Sequence, residues 1–227
     1  MNVCLVLNAP ETPTTRRVRL ALNGVPFSYR AGQAVSLSAG GPHTPYSIAS
    51  SPGETARYGW LEFLVKVDGS NRFGATVERL APGTNVDLSE AAGTFTLERV
   101  PHDTPLLFIA GGTGIAPMRS LIHDAMEAGR RGSLSLVYSS RTPDEFAYLS
   151  ELRDLADGHR LHLTLTLTGH GHDWAHARGR TGAGHFADLL QPSTVAFICG
   201  PRAMVAELPA ALASLGVARD RIVTEDW

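Results

Sequence analysis

Residues 106–121 read LLFIAGGTGIAPMRSL, and this stretch decides the predicted fold. Leu106–Ile109 is a short apolar run with no polar face, which is typical of a strand buried on both sides in a parallel sheet. A glycine-rich segment follows, and apolar residues then recur at helical spacing from Ile115 to Ile122. The stretch therefore predicts a strand, a glycine-rich turn and a helix, in that order.

The glycine-rich turn is a candidate phosphate site. Backbone N–H groups and the positive end of the helix dipole favour an anion at a helix start, and Thr113 adds a hydroxyl. Pro117 falls in the first helical turn, where its missing N–H costs little. The spacing matches neither G-x-G-x-x-G nor G-x-x-x-x-G-K-[ST], so a simple tight connection between strand and helix is the alternative.

The polar, proline-flanked segment 99–105 predicts a boundary between a domain of residues 1–100 and one of residues 104–227. Beyond it, short apolar runs alternate with helical patterns. This alternation predicts a parallel sheet covered by helices on both faces, with ligands at the carboxyl ends of the strands. The predicted strands are 106–109, 134–138, 161–167, 195–198 and 222–223, and the predicted helices are 115–127, 144–155, 184–189 and 202–215.

The first hundred residues have the pattern of antiparallel β structure. Val18, Leu20 and Leu22 alternate with other residues, as in a half-buried strand. Asn23-Gly24 is a turn signal, after which Phe27 and Tyr29 predict a further strand. A small barrel or sandwich is therefore expected. The remaining predicted strands are 35–37, 43–50, 60–67, 86–88 and 95–97, with a short helix around Val77 and Leu80.

Three conspicuous segments follow strands of the predicted parallel sheet, and so belong to one edge of it. They are Ser139-Ser140-Arg141, the segment from Cys199 to Met204, and Thr224 to Trp227. Each alone has a plain alternative. Arg141 suits a solvated helix start, Cys199 a small buried side chain, and Trp227 a frayed end.

Composition excludes several classes of partner. The 227 residues are 43% apolar and 19% charged, and 20 basic against 22 acidic residues give a net charge of −2. This balance gives no reason to expect nucleic acid or an anionic membrane as partner. The sequence contains no apolar run near the roughly 20 residues that span a bilayer, and its start lacks the pattern of a signal peptide. A cytoplasmic protein is expected.

Cysteine and histidine spacing predicts no metal centre. Cys4 and Cys199 are the only two cysteines, too few for an iron–sulfur cluster, a disulfide framework or a zinc site. The histidines between residues 159 and 176 match no metal motif, and a solvated loop is the simpler interpretation.

Four motifs, in matching order and spacing, resemble those of the ferredoxin–NADP reductase family of flavin-dependent electron-transfer enzymes. Residues 45–50 (PYSIAS) resemble the flavin motif R-x-Y-S-x-x-S, and residues 111–117 (GGTGIAP) the pyridine-nucleotide motif. Residues 199–204 (CGPRAM) are similar to C-G-P-x-x-M, and residues 225–227 (EDW) to an acidic–aromatic end. The resemblance covers nearly the whole chain. It implies a flavin-binding antiparallel β-barrel followed by a nucleotide-binding α/β domain, as a stand-alone reductase module without an iron–sulfur domain.

The resemblance also implies residue roles. Tyr46 would stack on the flavin ring, with the Ser47 hydroxyl near N5 and Trp227 on the other face. Cys199 would lie beside the nicotinamide C4, with Glu225 completing the polar surroundings. The implied catalytic residues are Ser47, Cys199, Glu225 and Trp227. The implied cofactor contacts are Thr44, Pro45, Tyr46, Ser47, Val65, Val67, Arg72, Gly74, Ala75, Thr76, Gly112, Thr113, Gly114, Arg141, Arg180, Cys199, Gly200, Pro201, Met204 and Trp227.

Some of these contacts would be made by the backbone. Val65 and Val67 would meet the flavin through backbone groups, and Gly74, Ala75 and Thr76 would present N–H groups to its phosphate. Thr113 and Gly114 would receive the nucleotide pyrophosphate.

Two positions depart from the family pattern. The arginine that precedes Pro-Tyr-Ser in the family is Thr44 here, and a family Ser or Thr is Gly74. Loss of a charge-assisted phosphate contact weakens binding. His43 or Arg72 could compensate, a hypothesis that rests on their position alone. The resemblance implies FAD, with FMN left open.

The implied activity is electron transfer from NAD(P)H through FAD to a separate acceptor such as a ferredoxin, an oxygenase component or a haem protein. Arg141, assisted by Arg180, favours NADPH slightly because a guanidinium suits a 2′-phosphate, although Arg141 could instead stack on adenine. Arg16, Arg17 and Arg19 could dock an acidic partner, but a solvated strand face is the simpler interpretation. The alternatives are a reductase of free flavin and a non-catalytic regulatory or binding subunit with a degraded flavin site.

Overall fold

The computed structural model of the chain describes residues 1–67, 72–169 and 174–226. The chain divides into two compact units. The first comprises Met1–Glu98 and Arg119–Ala128, and the second comprises Arg99–Met118 and the chain from Gly129 onward. The second unit thus begins inside the polar segment in which the boundary was predicted, whereas residues 119–128 belong to the first unit.

The described residues of the first unit form a six-stranded antiparallel sheet in the order β4-β3-β6-β1-β2-β5. The two edge strands of this order, β4 and β5, also contact each other, as expected of a sheet that curls into a barrel. The strands are β1 (Asn2–Thr12), β2 (Thr15–Ala21), β3 (Ala34–Ser38), β4 (Thr44–Ser47), β5 (Trp60–Lys66) and β6 (Asn85–Leu88).

The core of the first unit is built from the inward side chains of these strands. Val18 and Leu20 of β2 and Leu61 and Phe63 of β5 are all fully buried, as the period-two pattern predicts. Val3 and Leu5 of β1 are buried as well. The predicted antiparallel flavin-type domain is therefore confirmed as a fold.

Two strands predicted in this unit do not form. Phe27 and Tyr29 lie in irregular chain, where their rings pack with centroids 6.0 Å apart at the edge of the core. Phe95 and Leu97 are buried in a series of bends after Gly93, whose φ is +116°. In both cases the apolar residues are core side chains rather than ladder residues, so hydrophobic spacing alone gave the wrong assignment.

Three helices complete the first unit, wholly or in part. They are α1 (Pro52–Tyr58), α2 (Arg72–Val77) and the part of α3 (Ile115–Glu127) that starts at Arg119. Helix α1 was not predicted, although Ser51 and Glu54 form a capping box at its start and Pro52 is its first residue. The predicted short helix around Val77 and Leu80 lies earlier, at α2.

The described residues of the second unit form a six-stranded parallel sheet in the order β10-β9-β8-β7-β11-β12. Strand β7 is central, and each of its residues is buried. The strands are β7 (Leu106–Gly111), β8 (Leu134–Ser140), β9 (His162–Leu167), β10 (Ala177–Arg178), β11 (Val195–Gly200) and β12 (Ile222–Asp226). This confirms the predicted parallel sheet and adds β10, a two-residue strand too short for a sequence pattern.

The helices of this unit match the predicted ones in part. The helix predicted from the glycine-rich stretch is α3 over the predicted residues, and α5 (Arg202–Ser214) packs Leu208 and Leu212 into the core. Helix α4 (Leu149–Asp157) begins later than predicted because Tyr148, at φ +58°, interrupts the helical backbone. The helix predicted at 184–189 is instead two 3₁₀ turns, Ala183–His185 and Ala187–Leu189.

The strand order indicates which edge of this sheet would bind a ligand. From β7 the chain proceeds outward through β8 and β9, and it then returns to place β11 on the other side of β7. In open α/β sheets, ligands bind at such a reversal, which here falls at the carboxyl ends of β7 and β11.

Among the described residues no helix combines the length and the apolar character that crossing a bilayer requires.

Candidate functional site

The glycine-rich turn lies at the carboxyl end of β7. Gly112–Gly114 form one 3₁₀ turn that runs directly into α3, with Gly112 at φ +55°. A Cβ on Gly114 would lie 2.1 Å from the Cys199 carbonyl oxygen, so no larger residue fits there. The packing against Cys199 alone therefore requires a glycine at position 114, and its predicted contact with the nucleotide stays a prediction.

The predicted nucleotide segments meet at this turn. A Cβ on Gly111 would lie 2.8 Å from Cδ of Pro201 and 2.9 Å from Cε of Met204. A Cβ on Gly200 would lie 2.9 Å from the Met204 sulfur. The GGTG turn after β7 thus packs against the CGP-x-x-M segment that follows the neighbouring strand β11.

Cys199 lies between the other two predicted elements. In the parallel register it stands beside Ala110 of β7 on one side and Glu225 of β12 on the other. The cysteine is fully buried and Glu225 is half-buried. Two of the predicted carboxyl-end residues, Cys199 and Glu225, therefore share one edge of the sheet with the end of β7, while Trp227, predicted to cover the flavin, lies outside the described residues.

Tyr138 braces the turn, and the sequence did not mark it as a site residue. Its hydroxyl donates to the Gly112 carbonyl at 3.2 Å and accepts from the Ala147 amide at 3.1 Å. Its ring packs edge-on against Phe146, which stacks in turn on Trp174. A tyrosine near the end of a buried strand is the signal that could have found it, because a buried hydroxyl needs a partner.

The two arginines proposed for the 2′-phosphate have different surroundings. Arg141 is exposed directly after β8, and its carbonyl accepts from the Gly169 amide at 3.1 Å. Arg180 is also exposed, but its guanidinium donates to both carboxylate oxygens of Glu207 at 3.0 Å. Arg141 is therefore the stronger candidate of the two.

The predicted flavin residues of the first unit converge on its core. Tyr46 and Ser47, at the end of β4, are 7% and 6% exposed. The Tyr46 ring meets Phe73 of α2 edge-on, with centroids 5.6 Å apart, and Val65 of β5 is buried in the same cluster. Tyr46, Phe73 and Val65 thus share one apolar cluster, and apolar surface of this kind suits a flat aromatic ring.

Backbone contacts at β5 fall differently from the prediction. The Val67 amide donates to the Thr14 carbonyl at 2.9 Å, while at the other edge of β5 the Glu62 carbonyl accepts from the Ala49 amide. Backbone groups alternate between the edges of an antiparallel strand, so those of Val65 also face β2 and those of Lys66 face the opposite edge. The Val67 amide is thus engaged within the first unit, and contact of the two valines with the flavin stays a prediction.

The candidate phosphate contacts form a looser set. Thr44 is half-buried at the start of β4, Pro45 is exposed, and His43 is exposed just before them. Gly74, Ala75 and Thr76 lie within α2, a helix of six residues, with Gly74 buried. The proposed role of the Arg72 side chain falls outside what the structure describes.

The arginines considered for partner docking bind within their own unit. Arg16 donates to the Asn8 side chain at 2.6 Å, and Arg19 donates to the buried Glu62 at 2.6 Å. Arg17 lies 3.4 Å from Glu11. These contacts favour the simpler interpretation of a charged strand face.

Comparison with known proteins identifies the family. Over 239 aligned residues the chain is 31% identical to ferredoxin–NADP reductase B of Sorangium cellulosum, covering 98% of this chain and 96% of that protein. This chain belongs to the ferredoxin–NADP reductase family. Its residues 108–208 also match the family described as the oxidoreductase NAD-binding domain. Membership confirms the predicted family and the predicted class of enzyme, a flavin-dependent NAD(P)H oxidoreductase.

Further relatives support the assignment. The chain is 30% identical to the ferredoxin–NAD(P)(+) reductase component of the naphthalene 1,2-dioxygenase system of Pseudomonas putida, over 96% of this chain and 66% of that protein. A solved ferredoxin NADP+ reductase from Neisseria gonorrhoeae superposes with a TM-score of 0.83 at 21% identity, covering 100% of this chain and 98% of that one. At 21% identity, the superposition on this solved structure confirms the fold alone.

Proposed function

We propose that this reductase takes hydride from NADPH or NADH and passes electrons singly to a separate acceptor protein. The observation that carries the proposal is the packing of the glycine-rich turn against Cys199, Pro201 and Met204 at the carboxyl edge of the parallel sheet. In that arrangement the exposed Gly112 and a helix start lie next to the backbone of Cys199, a small and buried residue. Acceptors of the proposed kind are ferredoxins, oxygenase components and haem proteins, and a cytoplasmic location is the proposed setting.

The first unit would hold the flavin, which when bound accepts hydride at N5 and releases electrons one at a time. The residues present fit an isoalloxazine ring, because Tyr46, Val65 and Phe73 form one apolar cluster and the Ser47 hydroxyl follows Tyr46 directly in sequence. Tyr46 would stack on the ring, and Ser47 would donate to its reactive edge. FAD is proposed over FMN, and the solved relative from Neisseria gonorrhoeae is described with FAD and NADP bound.

The second unit would hold the pyridine nucleotide. The amides at the start of α3 and the Thr113 hydroxyl would bind the pyrophosphate, since a helix start attracts anions. Cys199 would contact the nicotinamide as a small neutral group that permits close approach, and Glu225 would orient the carboxamide. Neither residue needs to ionise, because the reaction requires approach geometry and exclusion of water rather than proton transfer.

The proposal is tested by anaerobic titration of the purified protein reconstituted with FAD. We expect a flavin absorption spectrum that bleaches on addition of NADPH or NADH, and we expect the flavin released on denaturation of the protein as purified, before any flavin is added, to be FAD. A protein that remains colourless after incubation with FAD and with FMN would overturn the proposal.

A second function is favoured by Thr44. The family arginine that would meet the flavin phosphate is absent at this position, so flavin held loosely could act as a substrate that leaves after reduction. Equilibrium dialysis distinguishes the two functions. Retention of one flavin per chain at submicromolar concentration supports the bound-cofactor mechanism, whereas rapid exchange with free flavin during turnover supports the flavin reductase.

A further inference from the structure

Two carbonyl groups just beyond the Tyr46-Ser47 pair are held by side chains from far along the chain. The Ala49 carbonyl accepts from Nη1 of Arg119 at 2.9 Å, and the Ser50 carbonyl accepts from Oγ of Ser120 at 2.7 Å. Each donor is 70 residues away in sequence and buried, and all four residues belong to the first unit.

The same arginine is fixed by a carboxylate. Both of its terminal nitrogens donate to Glu54 at 2.8 Å, and the Oε2 atom of Glu54 also accepts from the Ser51 amide. A planar guanidinium bound in this bidentate way has one orientation. It therefore presents the second N–H of its Nη1 atom to the Ala49 carbonyl at a defined point.

The amides of this segment bind in another direction. The Ile48 amide donates to the Gln33 carbonyl at 3.0 Å, and the Ala49 amide donates to the Glu62 carbonyl at 2.8 Å. The segment after β4 is thus held through its amides by Gln33 and by β5, and through its carbonyls by α3. Tyr29 adds a further bond, because its hydroxyl donates to the Ser50 carbonyl at 3.0 Å.

Stability alone is a weak explanation for this arrangement. The Arg119 and Glu54 side chains are 7% and 10% exposed. The free energy needed to remove both charges from water offsets much of the free energy gained from their attraction. A pair of apolar side chains of similar volume is often as stable. The ion pair directs an N–H of Arg119 at the Ala49 carbonyl, and an apolar pair would provide no such donor.

We propose that Arg119 and Ser120 are positioning residues for hydride transfer. Acting through the carbonyls of Ala49 and Ser50, they fix the end of β4 and hence the Ser47 hydroxyl and the Tyr46 ring. The inference rests on the proposed function, in which those two residues contact the flavin. Small displacements of such a contact change the rate of transfer more than the binding of the nucleotide.

The test uses the FAD-reconstituted full chain with the variants Arg119→Lys and Ser120→Ala. Lysine keeps the positive charge but lacks the planar guanidinium that binds Glu54 through two nitrogens, and alanine removes the Ser120 hydroxyl. Arg130→Lys and Ser214→Ala are matched controls, because Arg130 donates to the Val100 and Pro101 carbonyls and Ser214 to the Ala211 carbonyl in the second unit. The readouts are the visible flavin spectrum, the anaerobic bleaching rate at saturating NADPH, and the KM for NADPH.

We expect bleaching to slow by roughly 10- to 100-fold in Arg119→Lys and by roughly 3- to 10-fold in Ser120→Ala, as for a misplaced reacting group. The flavin bands should shift in both, with KM within about twofold of the wild type. Wild-type spectra and rates in both variants would overturn the inference, even if both unfold at lower temperature. If Arg119→Lys does not fold, Ser120→Ala alone decides by the same criteria.

Failure of the proposed function has a separate signature. A wild-type chain that takes up no flavin defeats the proposed function, and hydrogen exchange of the flavin-free proteins then tests the positioning. We expect faster exchange confined to residues 46–51 in the two variants and no such change in the controls. Unchanged exchange in that segment, or a uniform increase over the whole first unit, would overturn the positioning role.

Discussion

The two predicted binding regions are built in different ways. The glycine turn of the second unit is shaped by close backbone packing, with Gly114 against the Cys199 carbonyl and Gly200 against the Gly111 amide. The end of β4 in the first unit is shaped by side chains, with Arg119 and Ser120 holding two of its carbonyls. A site made of close backbone contacts leaves a readable local motif, whereas a site held by distant side chains does not.

The largest effect is expected from Glu54→Gln, because Glu54 binds the Arg119 guanidinium that holds the end of β4. The change leaves the buried Arg119 charge without its carboxylate, at a cost of about 3–5 kcal/mol in the free energy of unfolding at pH 7. Denaturant unfolding measures this loss. The control is Glu98→Gln, because Glu98 pairs with Arg30 where both side chains are at least half exposed, and a change below about 1 kcal/mol is expected there.

The same carboxylate predicts a pH dependence. Burial alone would raise the pKa of Glu54, but the hydrogen bond and charge of Arg119, with the Ser51 amide and the His123 charge, lower the net pKa below its ordinary value. A lowered pKa gives stability that is present above the unfolded pKa of about 4.3 and is lost as the pH falls through the folded value. We expect the stability of the wild type to fall more steeply below about pH 4.3 than that of Glu54→Gln. Equal slopes would contradict this assignment.

The next effect is expected from Gly114→Ala in the backbone-built region. The added methyl would overlap the Cys199 carbonyl, so we expect a loss of about 3 kcal/mol and no bleaching by NADPH. Gly184→Ala is the matched control, because nothing lies within 4 Å of its Cβ position. A Gly114→Ala protein with wild-type stability and KM would refute the packing explanation.

A smaller effect is expected from Tyr138→Phe, which removes the brace of the turn. Loss of the hydroxyl deprives the buried Ala147 amide of its acceptor and should cost about 1–3 kcal/mol. The KM for both nucleotides should rise several-fold while kcat changes little. Tyr58→Phe, at a side chain 55% exposed, serves as the control in steady-state kinetics.

The smallest effect is expected from Arg141→Ala. If its guanidinium meets a 2′-phosphate, the KM for NADPH rises about fivefold, or ~1 kcal/mol, while the KM for NADH is unchanged. Arg180→Ala should change this ratio less, since its guanidinium already pairs with Glu207. An equal rise for both nucleotides would instead indicate stacking on adenine.

Local patterns predicted the parts of the fold that local physics determines. The apolar run at β7, the glycine turn and the helical spacing of α3 lie together in sequence, so the element was predicted with its limits. Phe27 and Tyr29 misled because their rings fill core space from irregular chain. Helix α1 had a readable capping box at Ser51 and Glu54 that was overlooked.

The contacts that hold the end of β4 were beyond prediction for a physical reason. Arg119 lies in the stretch read as a nucleotide-binding helix, and nothing in its neighbours indicates a partner 65 residues earlier at Glu54. Such a pairing depends on the tertiary fold. The role of Tyr138 escaped for the same reason, because its acceptor belongs to another strand's turn.

Hydride transfer from NADPH or NADH to FAD is the activity on which all of these predictions depend. Stopped-flow spectroscopy with C4-deuterated NADPH or NADH tests it most directly. We expect the flavin absorbance of the FAD-reconstituted protein to bleach without oxygen, and to bleach severalfold more slowly with deuterium on the transferred side. A flavin-loaded protein that neither nucleotide bleaches would contradict the account.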